Sequence, residues 1–563
     1  MKLYERFIHK IISSPFLKFL VIIITLLALV GSVMMLPTKI VLAKMLPGKS
    51  ANTYSIYIDL PLGSSIEETK QVNECVESVI KKEKEVTDIE SFLGRGAPLD
   101  YAGLVKGSAF KNSENLAELV VNLTDKHERD ERSYEMIHRL RPVVKQKCEK
   151  LKKGTVIKFI EQPAGPPTLA SIVIELYGKN LAHSREMAKK LAAILSKTKG
   201  LVDIDIMEDK VFTKYNVVPN LDKIQKSGLS VEQVQKILYL AFQGMGVGTK
   251  NSENYPSQIE LFLRLDDKTR RVVSKSLEDI KDKLSSFELM NQKGMMVPLG
   301  EVVDIVRAKN EPTIMHKDLK RYINITAETD EVSQVYPLLD ARDKIIKEFS
   351  KDFIVKKESV KNFTHMFDLH LINKKTGEKF DVVWDGEMKV TLDTFRDLGL
   401  AFIAALVLIY VLMVIYYKSF SISGIIMAGS FLSIIGVIAG HWVADIFTKD
   451  TFFLTATSLI GFIALMGISS RNSLLLVDFA KALMNEKGMD KKRAIAVATA
   501  TRAKPIMLTA IAIILGSALL ASDPIFGGLG VALIGGTVAA VAVSLIFIPV
   551  LMDNTKAIKK EEN

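Results

Sequence analysis

The chain has 563 residues, of which 48% are hydrophobic and 25% charged, and its formal net charge is +11. This length exceeds one ordinary domain, and so many apolar and charged residues fit one chain only if they are segregated along it. No basic patch is interleaved with aromatic residues, which argues against a nucleic-acid-binding protein. Only two cysteines are present, which excludes a disulfide scaffold and a cysteine-rich zinc module.

Six apolar stretches are long enough to cross a bilayer, whose hydrocarbon core of about 30 Å requires roughly 20 helical residues. They are predicted at about 16–36, 398–417, 421–443, 453–479, 505–522 and 529–552. The first could be a signal peptide, but its apolar run is long and no convincing small-residue cleavage site follows, so a membrane anchor is favoured.

The distribution of charge around these stretches predicts their orientation, because loops rich in lysine and arginine remain in the cytoplasm. The first ten residues, the segment after the fourth stretch and the tail are basic, whereas the opposite loops carry Asp445, Asp450 and Asp523. We therefore expect both termini in the cytoplasm. Residues 38–390, between the first two stretches, are expected outside it.

Strand-like and helical patterns alternate in this large region. The order β-α-β-β-α-β predicts a first split βαβ, or ferredoxin-like, unit over residues 38–165. A second unit is predicted over residues 166–390, with strands at 170–177, 201–208, 212–218 and 320–327.

Two segments of the second unit depart from the repeated pattern. An insertion of about 220–310 interrupts the unit, and an extra hairpin of about 363–385 follows, to which the sequence assigns no role. Residues 1–37 then hold the first membrane helix, and residues 391–563 a bundle of five helices and the tail.

The two cysteines, Cys75 and Cys148, fall on the two predicted helices of the first unit, which lie on one face of its sheet. An oxidising compartment would permit a disulfide between them. Two small, half-buried residues on neighbouring helices are the favoured interpretation, and the pairing stays open.

Two motifs in the membrane region resemble a known family. GISSRNSLLLVDFAK (467–481) places a basic residue followed by asparagine within a membrane stretch, and TRAKPIMLTAIAIILG (501–516) opens the next. They resemble the tenth and eleventh helices of the resistance-nodulation-division (RND) efflux transporters. The first half of such a transporter should carry adjacent aspartates in a membrane helix, and none of the stretches here does. The chain therefore resembles the C-terminal half of an RND permease.

The resemblance implies the fold class and the function. The fold would be six transmembrane helices with a periplasmic α/β region of ferredoxin-like porter units and a docking insertion. The chain would be a bacterial inner-membrane subunit of a proton-driven pump that exports small amphiphilic compounds, without enzymatic activity or cofactor. Alternatives are export of metals or lipids by the same superfamily, and a non-transporting scaffold, regulator or remnant half.

The resemblance also implies partners. A subunit corresponding to the N-terminal half would supply intramembrane aspartates, and the pump would be a trimer of such pairs. A periplasmic adaptor and an outer-membrane channel are further candidate partners.

The candidate proton relay centres on Arg471, which lies within the fourth apolar stretch. A cation there costs roughly 2.5 kcal/mol or more unless a partner, a wet cavity or snorkelling relieves it. Because arginine stays charged, we expect Arg471 to be the fixed partner of a proton-accepting carboxylate. The aspartates at 393, 397, 478 and 523 lie near the ends of stretches, so this carboxylate is expected on another polypeptide.

Three further residues match the polar relay positions of the family: Asn472, Thr509 and Arg502. Alternative interpretations are a hydrogen bond from Thr509 to its own helix and an anchoring role for Arg502 at the cytoplasmic surface. Histidines and methionines elsewhere lack ligand spacing, so no metal site is predicted.

The segment FLGRGAP (92–98) resembles the loop that gates substrate in the first C-terminal porter unit of the family. The residues that would gate are Phe92, Leu93, Gly94, Arg95 and Gly96. The alternative is a glycine turn that ends a strand.

Overall fold

The computed structural model describes residues 2–48, 50–98, 101–162, 165–208, 211–255, 258–266, 269, 276–330, 333–448 and 451–559. The chain forms two compact units, which are described separately. One comprises Met1–Met207 with Ile314–Asn563, and the other comprises Glu208–Thr313.

Six helical segments among the described residues are long and apolar enough to cross a membrane, as predicted. We call them spans 1 to 6: Pro15–Met34, Glu387–Tyr417, Phe420–Phe447, Ala456–Lys487, Lys491–Ala521 and Gly527–Asn554. Several extend well beyond the predicted apolar stretches, because a helix continues until a cap ends it. Span 4, for example, ends where Gly488 adopts a left-handed conformation (φ 64°) that favours glycine.

Two spans are interrupted, and a short helix precedes span 1. Span 3 consists of helices Phe420–Leu432 and Ile434–Phe447. Span 6 contains a π-helical turn, Val543–Phe547, between its two α-helical parts. The preceding helix, Lys2–Ser13, packs against the beginning of span 5 and the end of span 6.

The first sheet has the predicted element order β-α-β-β-α-β. Its strands and helices are β1 (Thr53–Asp59), α1 (Ile66–Ile80), β2 (Val86–Arg95), β3 (Asn112–Leu123), α2 (Ser133–Cys148) and β4 (Val156–Ile160). A short helix, Tyr101–Lys106, lies between β2 and β3. The spatial order is β2-β3-β1-β4, and all neighbours are antiparallel. The apolar faces of α1 and α2 pack on one face of this sheet and form its core.

The two cysteines of this unit form a disulfide between Cys75 on α1 and Cys148 on α2, with their Cα atoms 5.8 Å apart. The favoured interpretation, two unpaired residues, was therefore wrong. Helical periodicity places each cysteine on a helix. Only the packing of the helices decides that the two face each other.

The second sheet is built around a similar four-strand arrangement. Its elements are β5 (Ile172–Gly178), α3 (Leu181–Ser196), β6 (Leu201–Met207), β13 (His316–Lys317), β14 (Lys320–Thr329), α4 (Val335–Phe349), β15 (Phe353–Lys357), β16 (Leu369–Asn373) and β17 (Lys379–Asp385), numbered along the whole chain. Strand β14 pairs with both β5 and β6, and β17 pairs with the other edge of β5. Strands β16 and β15 extend the sheet further.

The structure corrects the predicted second sheet at two places. The strand predicted at 212–218 does not join it, because this segment pairs within the other compact unit. The extra hairpin is part of the sheet: β17 takes the position beside β5 that β4 takes beside β1. Both outcomes depend on pairing between distant strands, which the alternation of residues along one strand does not encode.

The unit Glu208–Thr313 has a small core of its own. Its strands are β7 (Thr213–Pro219), β8 (Met245–Lys250), β9 (Ile259–Leu263), β10 (Glu288–Met290), β11 (Met296–Pro298) and β12 (Val303–Lys309). They pair as β7 with β12, β8 with β9 and β10 with β11. Its described α-helices are Leu221–Lys226, Val231–Leu238 and Leu277–Ser285, and a π-helical turn, Tyr239–Gln243, follows the second.

Glycines in the membrane spans fall into two classes. A Cβ atom added to Gly436 in span 3 would lie 2.1 Å from the carbonyl oxygen of Gly535 in span 6, so these backbones touch. Small residues allow such close helix packing in bilayers. By contrast, a Cβ atom on Gly424 or Gly467 would meet nothing within 4 Å.

Removal of the disulfide should destabilise the first sheet unit. We expect Cys75→Ala to lower the free energy of unfolding by about 2–4 kcal/mol, because the open chain regains conformational entropy when unfolded. Non-reducing peptide mapping and thermal unfolding with and without reductant would measure this. A free thiol at both positions in the oxidised protein would contradict the pairing.

Substitution of the touching glycine should separate spans 3 and 6. We expect Gly436→Ala to cost about 1–3 kcal/mol, since the added methyl group collides with backbone. The control is Gly424→Ala, where the methyl group enters open space. Thermal unfolding in detergent should show a lower midpoint for Gly436→Ala only, and equal midpoints would contradict the close contact.

Candidate functional site

Span 4 has an exposed apolar face in its first two thirds, and Arg471 lies on it. We call this the Arg471 face, and it consists of Ile460, Ala464, Gly467, Arg471 and Leu475. The spacing of three and four residues places these side chains on one side of the helix. The other side of span 4 is buried against neighbouring spans.

Arg471 lies in the middle of the 32-residue helix of span 4. Its side chain is exposed, and it makes no hydrogen bond or ion pair with any other residue that the structure describes. The nearest acidic residue along the same helix, Asp478, accepts a hydrogen bond from the Tyr417 hydroxyl at 2.5 Å. The guanidinium of Arg471 therefore has no acidic partner among the residues that the structure describes.

The other carboxylates predicted near the span ends also have partners. Asp393 and Asp397 lie 3.0 and 2.9 Å from the guanidinium of Arg396. Asp523 accepts hydrogen bonds from the backbone of Phe526 and Ile525, which lower the pKa of its carboxyl. Each of these carboxylates is held close to its own end of a span.

The remaining relay residues are separate in this chain, and no hydrogen bond joins any two of the four in the part that the structure describes. Asn472 is buried beside Arg471. The hydroxyl of Thr509 donates to carbonyl oxygens of its own helix, at 3.1 Å from Pro505 and 2.9 Å from Ile506, which is the alternative considered for it.

Arg502 connects spans 4 and 5 at a half-buried position. Its guanidinium carbon lies 5.0 Å from the ring centroid of Phe479, in a cation–π contact. Its Nε atom is buried and has no hydrogen-bond partner among the described residues. A surface anchor would present its charge to solvent, so this position is more enclosed than the anchoring interpretation assumes.

The predicted gating segment is largely strand. Residues 92–95 form the end of β2 and pair with β3, with a register irregularity between Leu93 and Arg95. Gly94 adopts a positive φ of 72°, and a Cβ atom on Gly96 would lie 1.9 Å from the carbonyl oxygen of Ser108. The glycines thus permit a bulge and a close backbone approach.

A cavity of about 720 Å³ lies between the two sheets and the ends of several spans. Aromatic and aliphatic side chains line it together with charged groups of both signs, among them Lys44, Lys106, Arg141, Glu161, Glu328 and Glu387. The sequence did not predict this cavity, because its walls come from segments far apart in the chain.

The pKa values of two glutamates in the cavity are shifted in opposite directions. Burial raises the pKa of Glu161 to about 7, although the nearby charges of Arg141 and Lys44 oppose the shift. Burial would also raise the pKa of Glu328, but Lys106, 2.7 Å away, outweighs it and the pKa is lowered. Glu161 therefore exchanges its proton near neutral pH, while Glu328 stays ionised.

Known proteins with the same architecture match this chain in sequence and in fold. The AcrB/AcrD/AcrF family matches residues 1–355 and 354–553, which is nearly the whole chain. The chain belongs to this family of RND transporters. The resemblance found in the sequence is thereby confirmed, and the family consists of inner-membrane efflux transporters.

Two curated relatives of this RND chain differ in what they are named for. Swarming motility protein SwrC of Bacillus subtilis (strain 168) is 23% identical over 580 residues, which cover 100% of this chain and 48% of SwrC. Cobalt-zinc-cadmium resistance protein CzcA of Cupriavidus metallidurans is 22% identical over 395 residues, which cover 68% of this chain and 33% of CzcA.

Two crystal forms of a heavy metal efflux pump share the fold. Their TM-scores are 0.68 and 0.70 at 19% and 18% identity, and they cover 97% and 98% of this chain. The match takes up 51% of the pump chain in both cases. The RND chain thus spans about half the length of SwrC and of this pump.

His441 in span 3 of this RND chain is a buried polar residue that no sequence motif indicated. Its Nδ1 lies 2.8 Å from the Val437 carbonyl oxygen and its Nε2 lies 2.7 Å from the Ser458 hydroxyl. Both ring nitrogens are thus satisfied within the chain. A histidine at the end of an apolar stretch was the only available signal.

The raised pKa of Glu161 predicts a pH-dependent effect on stability. The pKa of Glu161 in the folded chain, about 7, exceeds its ordinary value of 4.5. The protonated carboxyl therefore contributes fully to the stability of the folded chain below pH 4.5, and this contribution is lost as the pH rises through 7. We expect Glu161→Gln to be more stable than the unaltered protein by about 1–2 kcal/mol at pH 8 and nearly equal at pH 4.5.

Thermal unfolding in detergent at both pH values would test this expectation. The matched control is Glu186→Gln on the exposed face of α3, which should change stability little at either pH. A Glu161→Gln effect of the same size at both pH values would contradict the raised pKa.

Proposed function

We propose that this chain is the half of a proton-driven inner-membrane efflux pump that supplies the basic partner of the proton relay. The observation that carries the proposal is the Arg471 face, where a permanent cation lies among exposed apolar residues without a partner among the described residues. Arginine does not lose its proton in proteins, so it acts as a fixed charge and not as a carrier.

A negative group outside this chain best explains the position of Arg471. Charged side chains within spans almost always face a bundle interior or wet cavity and pair with one another. Gly467 and Ala464 precede Arg471 by one and two turns, and small residues let another helix approach closely. We infer that a helix with carboxylates packs on this face, and that proton uptake by a carboxylate breaks its ion pair with Arg471 and lets the helices move.

The carboxylates are assigned to the other half of the pump. Adjacent aspartates are absent from all six spans of this chain, and those near the span ends are engaged locally. The spans with the Arg-Asn pair and with Thr509 correspond to the second half of the family. The other half is either a separate subunit or a further part of a longer polypeptide, and a trimer of such pairs is the proposed assembly.

The proposed orientation places both ends of the chain in the cytoplasm and the two sheets in the periplasm. The basic flanks of the spans support it through the positive-inside rule. The Cys75–Cys148 disulfide supports it independently, since disulfides persist in oxidising compartments.

The two sheets are proposed to be ferredoxin-like porter units, and Glu208–Thr313 a docking insertion for an adaptor or an outer-membrane channel. The arrangement β2-β3-β1-β4 and its counterpart β6-β14-β5-β17 support the first assignment. The separate compactness of Glu208–Thr313 supports the second. Residues 92–96 would contribute to substrate gating by bending at the bulge in β2.

Small amphiphilic compounds are the proposed substrates, and the cavity supports them by combining apolar walls with charged groups. Metal ions are the second candidate, because CzcA is named for cobalt, zinc and cadmium resistance and the structural neighbour is a heavy metal efflux pump. Within the described residues no three His, Cys, Asp or Glu side chains converge on a position for a metal ion, which favours the first candidate.

The decisive experiment is replacement of Arg471 in the complete pump, reconstituted with its other half in vesicles under a pH gradient. We expect Arg471→Ala to reduce substrate-dependent proton flux at least about tenfold, because proton binding no longer breaks an ion pair worth several kcal/mol. Arg471→Lys keeps the charge and should retain part of the flux. Zinc, cobalt and cadmium ions and a cationic dye, tested separately, distinguish the two substrate classes.

The matched control is Leu475→Ala on the same face, which removes apolar contact but no charge and should leave the flux nearly unchanged. Full flux in Arg471→Ala would refute the proposed role. Absence of flux from the unaltered pump with every substrate would instead favour a non-transporting scaffold or regulator.

A further inference from the structure

The helix Lys2–Ser13, which we call the basic helix, carries a row of unneutralised positive charge. Lys2, Arg6 and Lys10 follow one another at intervals of four residues, so they share one side of the helix. All three are exposed, and none forms an ion pair with another residue that the structure describes. Like charges at this spacing destabilise a helix, so a negative surface opposite them would relieve a real repulsion.

The basic helix is joined directly to a membrane span. Only Ser14 separates it from span 1, which begins at Pro15. Its buried side packs against the beginning of span 5 and the end of span 6, and the Tyr4 hydroxyl donates a hydrogen bond to the Leu545 carbonyl oxygen at 2.9 Å. These contacts fix the basic helix against the bundle, and because span 1 begins directly after it we place it where span 1 enters lipid.

A second exposed row of the basic helix is apolar. Leu3 is 85% and Phe7 50% exposed, and the two follow each other at the same interval of four residues. Besides the side packed on the bundle, the basic helix therefore has an exposed cationic row and an exposed apolar row. A helix with adjacent cationic and apolar sides is suited to the boundary between lipid headgroups and acyl chains.

We propose that the basic helix binds anionic phospholipid headgroups through Lys2, Arg6 and Lys10, while Leu3 and Phe7 enter the acyl region. Phosphate oxygens accept charge-assisted hydrogen bonds from guanidinium and ammonium groups. Charge complementarity selects anionic over zwitterionic lipid, whereas the apolar row alone would not discriminate. This binding is independent of the proton relay proposed above, since it involves none of its residues.

A tryptophan placed on the apolar row can report the lipid beside the basic helix. We would use Phe7→Trp with Trp442→Phe, because Trp442 is 41% exposed on span 3 and would also meet lipid, whereas Trp384 is buried in the second sheet. The protein is reconstituted into phosphatidylcholine vesicles containing either brominated phosphatidylglycerol or brominated phosphatidylcholine, and quenching is measured against mole fraction.

We expect the brominated anionic lipid to quench the introduced tryptophan at a lower mole fraction, with a preference of about fivefold for each contributing cation. Added salt should weaken this preference in the same protein, which requires no further substitution. Neutralisation by Lys2→Gln, Arg6→Gln and Lys10→Gln should abolish it. The control Lys189→Gln, Lys190→Gln and Lys199→Gln removes equal charge from exposed positions outside the spans and should preserve it.

Three results would overturn the proposal. Equal quenching by the two brominated lipids would show that the basic helix does not select anionic headgroups. A preference that survives neutralisation of the three cations would assign the selection to other residues. Absence of quenching by either lipid would show that protein covers this surface, as an acidic partner segment would.

Discussion

The structure depends on one electrostatic constraint, which is that a guanidinium within a hydrocarbon layer requires a negative or wet environment. Arg471 has no negative partner among the described residues of its own chain. Asp478 accepts a hydrogen bond from Tyr417, and the other aspartates of the spans lie near the ends of those spans. The chain spans about half of SwrC and of its structural neighbour. The proposal that another half completes the relay follows from this electrostatic constraint.

The small residues of the membrane bundle occur in two environments, one between packed spans and one on an exposed face. Gly436 and Gly535 bring spans 3 and 6 into backbone contact, so both pack within this chain. Gly467 has free space where a side chain would begin, and it lies one turn from Arg471 on the exposed face. The same residue type therefore stabilises the bundle in one place and borders open space in another.

Local patterns predicted much of the fold, and nonlocal pairing accounts for what they missed. Hydropathy identified the six spans, and alternation identified the order of helices and strands along the first sheet unit, because each signal is contained in one segment. The assignment of residues 212–218 to the second sheet failed because strand β7 has a compatible pattern but a different partner, β12. The place of β17 beside β5 was missed for the same reason. The functions of the candidate site residues remain predictions.

The sequence by itself determined that a permanent cation lies within an apolar span, that adjacent aspartates are absent from the spans and that two cysteines fall on helices of one unit. Only the tertiary structure decided that Arg471 faces outward, that Thr509 bonds to its own helix and that Cys75 meets Cys148. The physical reason is that composition and periodicity specify how far a residue lies along a helix and on which side. What stands opposite that side depends on the packing of segments far apart in the chain.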